Sequence, residues 1–206
     1  THLRKSALCA TCHTLHTETL APDGAKTGHR LAEQTPYLEW RNSAFNDELA
    51  DPGPDAASCQ ACHMLTTDQD GVPIETRLAH NPMARDFPFV KPRAPYGRHV
   101  FVGGNTLVPA IFRDRGEELG TLAPRAAFEA TIAATMSQLT TRTARVTIDE
   151  FARADDHVII PVRVENLVGH KLPTGFPEVR RAWLRVRVRD AQGRVIVASG
   201  EHDAHG

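Results

Sequence analysis

The sequence predicts a loop-rich, mostly α region followed by an antiparallel β domain, and three observations predict it. Eleven of the fourteen prolines lie before residue 125, among turn signals such as Pro22-Asp23-Gly24, Asp51-Pro52-Gly53-Pro54 and Asp70-Gly71. After Pro124 the residues Phe128, Ile132, Ala133, Met136 and Leu139 recur at helical spacing. Beyond them the apolar period changes from helical to two. The boundaries that follow are 1–123 for the loop-rich region, 124–143 for a connecting helix and 144–206 for the β domain.

So irregular a first region cannot bury enough apolar area from its own side chains, so something else must supply its core. The helix begins at Pro124, whose fixed φ suits a helix start. Four strands are expected after it: Val146 and Ile148; Val158, Ile160, Val162 and Val164; Leu184, Val186 and Val188; Val195 and Val197. Arg185, Arg187 and Arg189 alternate with the apolar residues of the third, as in a sheet with one wet face. The turn at Asp190 to Gly193 makes strands three and four a hairpin. Four strands are fewer than the roughly seven of an immunoglobulin-like sandwich, so the domain reads as immunoglobulin-like but incomplete. Either its sheet packs on the first region or the missing strands come from elsewhere.

Composition narrows the functions. With 41% hydrophobic and 24% charged residues the 206-residue chain belongs with proteins that fold in water. No apolar run is long enough for a membrane span. A formal charge of −1 leaves no basic field for nucleic acid. The start at Thr1 rather than methionine leads us to expect that a leader was removed.

The chemistry lies in the cysteines. There are four, in two runs: Cys9-Ala10-Thr11-Cys12-His13 and Cys59-Gln60-Ala61-Cys62-His63. Each pair of thiols is spaced to form thioethers to the two vinyl groups of a haem, and the adjacent histidine then reaches the iron from one face. The rival is a zinc site built from two Cys-x-x-Cys pairs. By composition, a histidine would follow both pairs by chance in about one chain in four hundred, which favours haem over zinc or a redox dithiol. The expected cofactors are two haem c groups with their iron, ligated by His13 and His63. Such attachment occurs outside the bacterial inner membrane, so the expected location is periplasmic or extracellular.

An iron with one protein ligand is open to substrate, whereas one with two suits electron transfer. Nine further histidines therefore bear on function. His99 precedes Gly103, Gly104 and Asn105, where glycines let backbone approach a flat macrocycle. His170 lies in the proline-punctuated turn Gly169-His170-Lys171-Leu172-Pro173-Thr174-Gly175. These two are the expected distal ligands, His170 for the His13 iron and His99 for the His63 iron. His16, read as a residue on a helix face, is a ligand candidate for another haem, including one on a neighbouring chain. His29 and His80 fall in polar loops, and His2, His157, His202 and His205 are terminal or on a wet strand face. Methionine is the less favoured ligand, since Met64 lies on the wrong side of its own haem, Met83 is in a loop and Met136 is on the helical stripe. Tyr37, Trp40 and Phe45 read as a wall against a porphyrin or as ordinary packing.

The stretch Gln34-Thr35-Pro36-Tyr37-Leu38-Glu39-Trp40, the second cysteine run with Met64, Arg98-His99 with its Gly-Gly-Asn ending, and the His170 turn together resemble multihaem c-type cytochromes of prokaryotic respiratory chains. The resemblance runs from Cys9 to about Trp183. It implies a loop-rich haem region followed by a β domain, with electron transfer as the role. Some extracellular cytochromes of this kind polymerise into filaments, which implies self-association here, with other redox proteins or extracellular electron acceptors as partners. The expected function is bis-histidine electron transfer rather than enzymatic catalysis. The alternative is a dihaem oxidoreductase, peroxidase-like or acting on sulfur or nitrogen compounds, with one open iron position.

Overall fold

The structure is a computed structural model and describes residues 2–68, 70–77, 89–98, 101–176 and 180–202. After a short 3-10 turn at His2–Arg4 come helix α1 (Ala7–Ala10), strands β1 (Leu15–Leu20) and β2 (Lys26–Gln34), then α2 (Pro36–Arg41), α3 (Cys59–His63), α4 (Leu107–Asp114) and α5 (Arg125–Thr141). Six strands follow: β3 (Ala144–Ile148), β4 (Ala152–Arg153), β5 (Val158–Ile159), β6 (Val162–Asn166), β7 (Val186–Arg189) and β8 (Val195–Ser199). The described strands pair as four two-stranded antiparallel sheets, β1 with β2, β3 with β6, β4 with β5 and β7 with β8. None closes into a barrel. No helix among the described residues is long and apolar enough to cross a membrane.

The β1–β2 hairpin departs from the expected loops and short helices. Thr17 and Thr19 supply β-branched side chains, and the turn closes at Gly24, whose φ of 84° needs no Cβ, while Asp23 Oδ1 accepts the Ala25 N–H at 3.0 Å. His16 accordingly stands on a strand and not on a helix face. The second departure is at Pro161, which has no N–H for a ladder and divides the expected strand from Val158 to Val164 into β5 and β6. Its carbonyl still accepts the Asp149 N–H at 3.1 Å, so β3, β4, β5 and β6 run as one long hairpin that closes where Ala154 N–H meets the His157 carbonyl at 2.9 Å. The β7–β8 hairpin forms at the expected turn, where Gly193 adopts a φ of 81° and Asp190 Oδ1 accepts the N–H groups of Gln192 and Arg194.

Helix α5 occupies the segment expected of it and leans on α4 through Phe112 and Phe128, whose rings are 6.0 Å apart. Its apolar stripe is nevertheless uncovered: Thr135 is buried while Met136 and Leu139 are exposed. The hairpins behave alike, with Val146, Ile148, Val164, Ile196 and Val197 all exposed. Among the described residues the buried apolar side chains are Trp40, Ile74 and Val102. Trp40 and Val102 both lie against the segments that carry the cysteine runs and His170, as the following distances specify.

Candidate functional site

The two cysteine runs are joined at Ser6, which is fully buried. Its carbonyl accepts the Cys9 N–H at 2.9 Å, and its hydroxyl accepts the Cys59 N–H, also at 2.9 Å. The Gln60 amide reinforces the joint by donating to the carbonyls of Leu3 and Lys5 at 3.1 and 2.9 Å. Ser58 caps α3 by accepting the Ala61 N–H, so the short helix is held at its start. Burial, then the neighbouring Cys59 thiol, pushes Cys9 up to about 11, and burial raises Cys62 as well. No three of the described His, Cys, Asp and Glu residues converge as a metal-holding group.

His63 and His170 come together. Their ring centres are 6.4 Å apart with planes inclined by 21°. Each imidazole has its Nδ1 tied to a backbone carbonyl, His63 to Val102 at 2.7 Å and His170 to Lys171 at 3.2 Å. A carbonyl can only accept, so Nδ1 carries the proton in both rings and Nε2 keeps its lone pair. Burial, with His63 adding to it, lowers the His170 pKa and favours the neutral ligating form. Two imidazoles sharing one metal ion at about 2.0 Å per bond have ring centres roughly 6 Å apart. The observed spacing would let both rings hold one metal ion. The expectation set His170 on the His13 iron; the loop after β6 brings its ring beside His63 of the second run.

Val102 is presented to His63 after Phe101, whose φ of 44° is in the left-handed region. That conformation costs a non-glycine residue about 1–2 kcal/mol, a kind of strain that collects at functional sites. His99, His80, His205 and Met83 lie outside the described residues. His13 is exposed, and its carbonyl accepts the Tyr37 N–H at 3.3 Å. Next to it Thr14 Oγ1 is buried with no hydrogen-bond partner, and in the second run Gln60 Oε1 is in the same position. His16 and His29 are on the β1–β2 hairpin, and His157 bonds its neighbour Asp156.

The wall residues act as packing for the His170 loop and α3. Trp40 is buried, donates Nε1–H to the Ala57 carbonyl at 2.9 Å and stacks on Tyr37 at 5.7 Å. Tyr37 in turn donates to Glu48 at 3.0 Å, and the other Glu48 oxygen takes the Ala7 N–H. Sequence reasoning assigned no role to Ser6, Glu39, Glu48 or Asn166. Only Glu39 had a signal, its place beside Trp40 in the quoted stretch. No family model matches the chain, and no curated protein or solved structure does.

Proposed function

We propose that the chain carries two c-type haems, one on Cys9, Cys12 and His13 and one on Cys59, Cys62 and His63, and passes electrons between redox partners. The observation that carries this reading is the His63–His170 pair, whose Nδ1 atoms are both held by backbone carbonyls and whose ring centres stand 6.4 Å apart, as two imidazoles that would hold one iron require. The remaining residues suit the group. The two imidazoles would hold an iron whose other four positions porphyrin nitrogens supply. The buried orphan oxygens of Thr14 and Gln60 lie next to the first run and inside the second. Bound haem supplies an iron that takes up and releases one electron. The chain's own part is to anchor the macrocycle by thioethers and to hold the distal imidazole in the ligating tautomer.

A dihaem oxidoreductase is the second reading, and it attaches to His13, which is exposed and has no ring contact to another histidine among the described residues. His99 remains the proposed distal ligand there. The intact mass of the denatured protein tests the attachment: two haems should be added to the polypeptide, and a bare or zinc-loaded mass overturns the proposal. Carbon monoxide separates the two readings, since a carrier with both irons closed refuses it when reduced and an open iron binds it.

The proposal extends to export and assembly. Haem attachment of this type belongs to the periplasm or the cell exterior. The exposed apolar faces of both hairpins support self-association, as a dimer or a filament, and added strands from a second chain would complete an immunoglobulin-like sandwich.

A further inference from the structure

We propose that Glu39 is a positioning residue for the second haem site: its carboxylate clamps the loop that carries His170 and so holds the imidazole at the distance an iron requires. This rests on the haem reading above and adds to it the device that keeps the distal ligand in place.

That loop is held at residues 169, 170, 171 and 174. Glu39 Oε2 accepts the Lys171 N–H at 2.9 Å and the Thr174 hydroxyl at 2.7 Å. The same side chain is 9% exposed and has the Lys171 ammonium 3.8 Å from its other oxygen. The His170 carbonyl accepts from the Asn166 amide at 2.8 Å. One residue earlier, a Cβ built on Gly169 would stand 3.0 Å from Trp40 Cδ1 and 3.3 Å from Phe45 Cβ, so the backbone lies directly on the indole. Residues 169, 170 and 171 are thus each pinned, two of them by the adjacent residues Glu39 and Trp40 of α2.

The clamp spans 132 positions in sequence between Glu39 and Lys171, and it does for the ligand what no local turn can. The loop's own bond from His170 Nδ1 to the Lys171 carbonyl orients the ring relative to its backbone. It does not place that backbone relative to His63. Glu39 does, because α2 is tied to the first run by Tyr37 N–H to the His13 carbonyl and to the segment just before α3 by Trp40 Nε1–H to the Ala57 carbonyl. A carboxylate is suited to the task, since one oxygen can accept two donors and charge-assisted bonds are the stronger kind. Positioning residues of this type, behind a metal-ligating histidine, commonly alter ligand affinity about 10- to 100-fold when removed.

The test compares Glu39→Ala, Glu39→Gln and Thr174→Val in the holoprotein. Glu39→Ala should keep both haems attached by mass, yet make one of the two irons high-spin and able to bind carbon monoxide on reduction, with added imidazole restoring the low-spin spectrum. Glu39→Gln keeps an acceptor oxygen and should stay low-spin, and Thr174→Val should fall between them. His170→Ala should give the same spectrum as Glu39→Ala, and combining the two should add nothing. A Glu39→Ala protein that carries both haems, stays low-spin and refuses carbon monoxide overturns the proposal, as does a spectral change that imidazole cannot reverse. Amide exchange judges the clamp separately from the spectrum: in the protein as purified the Lys171 N–H should exchange about tenfold or more faster in Glu39→Ala than in the parent. Equal exchange rates overturn the clamp, whereas a parent chain that never acquires haem with a protected Lys171 amide overturns only the haem reading.

Discussion

Gly169 occupies the tightest point of the site, with Trp40 and Phe45 where a side chain would begin. The backbone must come this close for His170 to reach past α2, so the position tolerates no Cβ without movement of the indole. Gly169→Ala should therefore destabilise the protein by about 1–3 kcal/mol and shift the proposed second haem toward high spin, while Gly71→Ala, which meets no neighbour but has a φ of 78°, should cost stability without any spectral change. Denaturant titration and the visible spectrum of the two variants check this. Ser6 works in the same economical way, its two oxygens receiving the first cysteine of each run. Neither residue carries chemistry of its own, and both are needed because the groups that do are supplied from distant parts of the chain.

At the scale of elements, the β7–β8 hairpin shows how a short ribbon with exposed faces is held. Arg187, then Arg185, bond the Glu201 carboxylate just after the last strand and lower its pKa from 4.5 to about 2. Trp183 Nε1–H closes the open end on the Gly200 carbonyl at 3.0 Å. A depressed carboxylate pKa contributes stability above its unfolded value and loses it as pH falls through the folded one. The hairpin should therefore keep the Trp183 indole N–H resonance in its folded position between pH 4.5 and about 3 and lose it as pH approaches about 2. In Glu201→Gln that acid-dependent loss should disappear, and an unchanged titration would show that the two arginines are not what holds the strand end. Helix α5 is the contrasting case, since its exposed Met136 and Leu139 have no comparable closure among the described residues.

The whole chain exposes 15930 Å², well above the about 9,500 Å² that a compact protein of this mass presents. Three buried apolar side chains among the described residues are too few to hold the first region together. Haem and a neighbouring chain are the proposed sources of the missing contacts. A chain prevented from attaching haem by Cys9→Ala, Cys12→Ala, Cys59→Ala and Cys62→Ala together should bind an apolar dye and melt without a sharp transition, whereas the holoprotein should melt cooperatively. Light scattering of the holoprotein should give a mass that rises with concentration, and monodisperse monomers at high concentration would remove the assembly proposal.

The haem reading proposed for the two Cys-x-x-Cys-His runs comes from the sequence alone, because such a run is local and its spacing needs no coordinates. Helix α5 and the β7–β8 hairpin were equally legible, as each rests on a period or a turn that a few neighbouring residues determine. The β1–β2 hairpin was missed because Thr17 and Thr19 carry little apolar signal, and the break at Pro161 because alternation continues on both sides of it. Which histidine faces which was decided only by the tertiary structure. The pairing of His170 with His63 depends on Glu39, Trp40 and Gly169, whose contacts cross more than 120 positions, and no local pattern records where a loop will land once a distant carboxylate and indole have fixed it.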